Sequence, residues 1–220
     1  MTNIQAAAAE AIATRVLKER DPRLAAYCLK MAEADWRFAV ASLDETSLQA
    51  SKELFSASFD SAGVVHEPVS IAVRASVDLY RATGDRKYAD KAAELARIIL
   101  DSQERRIPDW TVPLTGFFYT SPAKDRILHY CHRGREQELI LALTALANEL
   151  PNHPDWMKWY FAVALHSQYL KTIAEYTEPY TVPVSYTHLR IPNQTHRPDR
   201  GLNFGLICGA DLCQDNDTEL

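Results

Sequence analysis

Apolar positions recur three and four residues apart through most of the first 180 positions, and strand-like alternation is nearly absent. In "KYADKAAELARIIL" the residues Tyr88, Ala92, Leu95 and Ile99 fall on one stripe, with Lys91, Glu94 and Arg97 on other faces. In "RGREQELILALTALANEL" the residues Leu139, Leu143, Leu146 and Leu150 do the same. Each segment predicts an amphipathic helix with a core side, and the chain reads as all-α over this range.

The helix starts carry a second pattern. Asp21 is placed to cap a helix whose first position is Pro22; Asp85 does the same after Gly84, which suits the end of the preceding helix; a third start falls around Pro154 and Asp155. The first large apolar residues of these helices, Leu24, Tyr88 and Trp156, are 64 and 68 positions apart. That spacing predicts a repeated unit of helix, short turn and helix, which buries its stripe only against its neighbours. It also leaves room for a long connection from Gln103 to His132. Connections of that length inside a helical domain are usually functional or disordered, and this one is too aromatic for disorder.

The chain has 220 residues, 47% hydrophobic and 24% charged, enough to bury a sizeable core. A net charge of −5 argues against nucleic acid as a partner. No apolar run approaches the roughly 18 to 20 residues that span a bilayer, so no membrane partner is expected. The opening "MTNIQAAAAEAIATRVLKER" lacks a signal peptide's basic and apolar regions, so the chain as given reads as cytoplasmic, while a parent protein that is secreted or periplasmic stays open. Cys28, Cys131, Cys208 and Cys213 form no CxxC pair or zinc spacing and read as free thiols.

The stretches "LYRATGDRKYADKAAELARIIL" and "DPRLAAYCLKMAEADWRFAV" resemble helices of the six-hairpin glycosidases, the second those of family nine glycoside hydrolases. "GFFYTSPAKDRILHYCHRGREQELILALTALANELPNHPDW", followed by "YLKTIAEYTEPY", is similar to the matching hairpin of bacterial family-nine-like proteins. The resemblance covers roughly positions 18 to 182 and implies helical hairpins forming part, about half, of an (α/α)6 toroid. It implies a carbohydrate substrate, hydrolysis of a glycosidic bond by two carboxylates, and no cofactor. The family's Asp-Ala-Gly-Asp motif is not matched; "DSAG" at residues 60–63 is a distant echo. The acid glutamate lies later in the family than this chain reaches, so the chain reads as a fragment with its catalytic residues unassigned.

Sugar recognition joins aromatic faces to planar or charged hydrogen-bonding groups. Trp110, Phe117, Phe118 and Tyr119 supply the first set; His129, His132, Arg133, Arg135 and Glu136 supply the second. A helix beginning near Arg133 would place His132 and Arg133 beside free backbone N–H groups. Tyr180, with Tyr176 and Glu178, closes a later helix whose end could line a cleft. The structural alternative is that at least one of Phe117 and Phe118 plugs a gap between hairpins. His129 and His132 stand three apart without a third ligand at a matching spacing, so no metal is expected. His166, Trp36, Trp156 and Trp159 sit at helical spacing and read as core or groove residues, and Glu67 as a cap.

After Val182 the helical pattern stops. The expected boundaries are a partial glycosidase-like domain over 1–182 and an irregular tail over 183–220. "VSYTHL" matches one translated frame of a transposase mosaic end, so the tail reads as a fusion or library artefact. The alternative is a native loop packed on the hairpins. Two rival functions stand beside the glycosidase: another (α/α)6 sugar enzyme (an epimerase, an unsaturated uronyl hydrolase or a polysaccharide lyase), and a non-enzymatic helical repeat that binds protein.

Overall fold

A computed structural model describes residues 2–41, 43, 66–107, 114–124, 127–128 and 137–176. Six α-helices lie within them: α1 (Thr2–Leu17), α2 (Pro22–Ala41), α3 (His66–Thr83), α4 (Arg86–Asp101), α5 (Gln137–Glu149) and α6 (Trp156–Tyr176). They form three hairpins, α1–α2, α3–α4 and α5–α6, so the expected all-α hairpin architecture is what folds. The irregular tail expected after residue 182 lies outside the described residues.

Local chemistry sets each hairpin turn. Asp21 Oδ1 accepts the Leu24 N–H at 2.9 Å and opens α2. Gly84, at φ +73°, closes α3 by donating its N–H to the Tyr80 carbonyl at 2.7 Å, and Asp85 Oδ1 then accepts the Lys87 N–H at 3.0 Å. At the third turn His153 Nδ1 accepts the Asp155 N–H at 3.0 Å, and the Trp156 indole is tied to the Ala147 carbonyl at 2.9 Å.

The helices form two layers, α1, α3 and α5 in front and α2, α4 and α6 behind. Arg74, midway along α3, reaches Glu138 in the first turn of α5 at 2.7 Å, and Arg81, in the last turn of α3, reaches Glu149 at the end of α5 at 2.6 Å, so the two helices run in one direction. Asp78 accepts from both Arg81 and Arg15 at 3.3 Å, which brings the last turn of α1 to the same level. The two long connections, after α2 and after α4, therefore both arrive at the end where α3 and α5 begin. Between the layers Ala72, Ala75, Ala92, Ala96 and Ala142 are fully buried, allowing close helix approach, and Leu95, Ile99, Leu143, Leu146 and Trp159 fill the remaining volume. The stripes through Tyr88 and Leu139 are buried along their whole length.

The repeat is regular in sequence and unequal in burial. Leu24, Tyr88 and Trp156 all stand in the first turn of a back helix, yet Leu24 is 44% exposed, Tyr88 is buried and Trp156 is half-buried. Tyr88 is held in the middle of the array. Its hydroxyl donates to Glu33 at 2.8 Å, its ring meets the Trp36 ring edge-on at 4.9 Å, and the Trp36 indole donates to Ser76 at 2.7 Å. No helix among the described residues is long and apolar enough to cross a membrane.

Candidate functional site

α4 ends at Ser102, whose N–H bonds back to the Ile99 carbonyl, and the chain then runs extended. Glu104 donates its N–H to Phe117 at 2.9 Å and accepts the Gly116 N–H at 2.8 Å; Tyr119 donates its N–H to Ser102, and Leu128 donates to Phe118. Antiparallel bridges pair Gln103 with Phe118 and Tyr119 with Ile127. Three short extended segments thus lie side by side as a strap beyond α4.

The strap is clamped onto α6. The Gln103 side-chain amide donates to the Gly116 carbonyl at 3.2 Å and to the Ala162 carbonyl at 2.8 Å. His166 Nδ1 lies 3.1 Å from the same Gly116 carbonyl, which makes Nδ1 the protonated nitrogen of the neutral ring. Gly116 has φ +87°, and a Cβ there would collide with the Leu165 backbone, so the two chains meet main chain to main chain. Phe117 packs on Tyr169 and Phe118 on His166.

A carboxylate locks the strap internally. Glu104 Oε1 accepts the N–H groups of Arg105 and Arg106, each at 2.9 Å, while Oε2 accepts the Tyr119 hydroxyl at 3.0 Å. Partial burial pushes the Glu104 carboxyl up, but the Arg106 N–H, the Tyr119 hydroxyl, the nearby Lys124 and the Arg105 N–H outweigh it and hold the carboxyl below its ordinary range. Burial, then Glu104, pushes the Tyr119 phenol above its ordinary value. Lys124 donates to the Gln103 carbonyl at 3.0 Å and sits over the Tyr119 ring. Burial likewise lowers His166 below an ordinary histidine, against the opposing bond to Gly116.

Of the candidate substrate-binding residues, Tyr119 is in the strap, buried, with its hydroxyl on Glu104. Trp110, His129, His132, Arg133, Arg135, Glu136 and Tyr180 lie outside the described residues, as do Glu67's side chain, Cys131 and the other cysteines except the free Cys28. Both Phe117 and Phe118 are buried plugs, and Trp159 and His166 are packing residues. The described helix α5 begins at Gln137. The sequence reading gave no role to Gln103 or Glu104. The available signal was "QERR", a polar run directly after a helix stripe that ends at Leu100.

The chain matches the family model for glycosyl hydrolase family 9 over residues 2–184. It belongs to that family. Glycosyl hydrolase family 9 hydrolyses O-glycosyl bonds, so the chain is a glycoside hydrolase by descent and carbohydrate is its substrate class. No curated protein and no solved structure matches it. Among the described residues no group of three or more His, Cys, Asp or Glu side chains could share a metal ion.

Proposed function

We propose that the end of the front layer where α3 and α5 begin is the carbohydrate cleft, and that the segment between Leu128 and α5 supplies its polar contacts. His129, His132, Arg133, Arg135 and Glu136 hold sugar hydroxyls there, Trp110 stacks on a pyranose ring, and Tyr180 contributes from beyond α6. Tyr119 serves the site by holding the strap through Glu104. The observation that supports this reading is the Gln103–Gly116–His166 clamp, which ties the connection carrying these residues to α6.

In this reading the three hairpins form about half of an (α/α)6 toroid spanning 1–182, and residues 183–220 are not part of it. The chain contributes binding residues, while the acid that protonates the leaving oxygen and the base that activates the attacking water, with inversion, are assigned to none of its residues. The test is calorimetric titration with cellohexaose and with a hexamer of galacturonate, using the chain and its His132→Ala and Arg133→Ala variants. Binding of cellohexaose weakened about tenfold by either substitution supports the reading, since one lost charged hydrogen bond is worth about that much. Binding of the acidic oligomer alone would favour an enzyme acting on uronates, and silence toward both would sink the cleft.

A further inference from the structure

The front helices lie directly against one another, α1 on α3 and α3 on α5, whereas among the described residues α2 and α4 meet through side chains, Glu33 and Trp36 on Tyr88. The row whose members stand closer is the inside of a bend, so the array curves with its front layer on the concave side. On α3, Ser76 accepts the Trp36 indole N–H from the back layer at 2.7 Å. Arg74 stands two residues earlier, about 200° around the helix, and so projects from the concave face. α3 has a front helix on either side, which places Arg74 at neither edge of the array.

Arg74 Nη1 donates to Glu138 Oε2 at 2.7 Å, and the two side chains are 41% and 29% exposed. Among the described residues neither group has another hydrogen-bond partner, so the guanidinium keeps spare N–H groups and the carboxylate a spare oxygen. Glu138 lies in the first turn of α5, two residues past Glu136, where the segment assigned to the sugar enters the helix. A guanidinium N–H beside a carboxylate oxygen offers a donor and an acceptor together, and a sugar hydroxyl, which is both, satisfies the two at once. A carboxylate ligand finds no such match. Glu138 already neutralises Arg74 and repels a second anion.

We propose that Arg74 and Glu138 form a specificity pair on the concave wall of the cleft, binding hydroxyls of a neutral sugar and turning uronates away. The proposal rests on the cleft reading above and deepens it by naming the charge class of the sugar.

The test is calorimetric titration with cellohexaose and with the galacturonate hexamer, using wild type, His132→Ala, Arg74→Ala and Glu138→Gln. A part-exposed ion pair contributes little to stability, and circular dichroism checks that each variant is helical. Glu138→Gln keeps the shape of the side chain and serves as the second variant should Arg74→Ala not fold. Arg74→Ala is expected to weaken cellohexaose about tenfold, the worth of a charged hydrogen bond. Glu138→Gln is expected to strengthen the acidic hexamer about tenfold, because Arg74 is then unneutralised, and the gain should fade as salt is raised. A purely structural ion pair would not move that selectivity. Cellohexaose binding that His132→Ala weakens and Arg74→Ala leaves unchanged overturns the specificity pair and leaves the cleft standing. An acidic hexamer that gains nothing from Glu138→Gln also overturns it. A wild type silent toward both oligomers removes the cleft, and this pair with it.

Discussion

Glu104 and Tyr119 are fifteen positions apart and share a 3.0 Å hydrogen bond, phenol to carboxylate, that closes the strap on itself. The other carboxylate oxygen takes two backbone N–H groups, so one side chain organises both the turn after α4 and the returning segment. Tyr119→Phe keeps the ring against Phe117 and removes only the hydroxyl. It should lower unfolding free energy by about 1.5 kcal/mol, the usual worth of a hydrogen bond to a charged group. Urea denaturation checks this; a midpoint unchanged from wild type would show that the strap holds without the lock.

Two glycines with similar backbone angles should respond differently to alanine. Gly84 has φ +73° and open space around its Cα, so Gly84→Ala should cost only the left-handed conformation, about 1 kcal/mol. Gly116 has φ +87° and also faces the Leu165 backbone, which cannot move without displacing α6. Gly116→Ala should cost about 3 kcal/mol or more, or prevent folding. Thermal melts of both variants decide the matter, and equal shifts would mean that the strap does not press on α6.

His166 gives the clamp a pH dependence of known sign. Burial lowers its pKa below the unfolded value of 6.5, so the neutral ring is the form the fold prefers. The stability it contributes is present above that pH and is lost as pH falls from 6.5 through the lowered folded pKa. His166→Gln keeps a donor for the Gly116 carbonyl but does not titrate. The difference in melting temperature between wild type and this variant should therefore move steadily against the wild type from pH 7.5 to pH 5, the carboxylate contributions cancelling in the comparison. A constant difference would place the ring in solvent.

How much of this was legible follows the range of the interactions. The stripe from Tyr88 to Ile99 and the caps at Asp21, Asp85 and Gly84 are written within a few residues of one another, and pattern alone finds them. The strap is not local: Gln103 reaches Ala162 across 59 positions, and Glu104 needs Tyr119, with no spacing rule linking either pair. Phe117 and Phe118 read as sugar platforms or as plugs between hairpins, because an aromatic run has no period to show which way it faces. Burial resolves that for the two phenylalanines, which plug the gap between the strap and α6.

The repeat itself offers the sharpest contrast between pattern and environment. Leu24 and Tyr88 occupy the same turn of equivalent helices, and a reading from sequence treats them alike. Tyr88 is enclosed by Trp36, Glu33 and the α3–α4 core, and its phenol is pushed up to about 12 by burial and then by Glu33. Leu24 is 44% exposed at the start of α2. Tyr88→Ala should cost about 3 to 5 kcal/mol, as large aromatic truncations in a core do, whereas Leu24→Ala should cost under about 1 kcal/mol in the dilute monomer. Chemical denaturation below 1 µM, where mass action keeps chains apart, measures both. A Leu24→Ala cost near that of Tyr88→Ala would mean that Leu24 is enclosed in the folded chain.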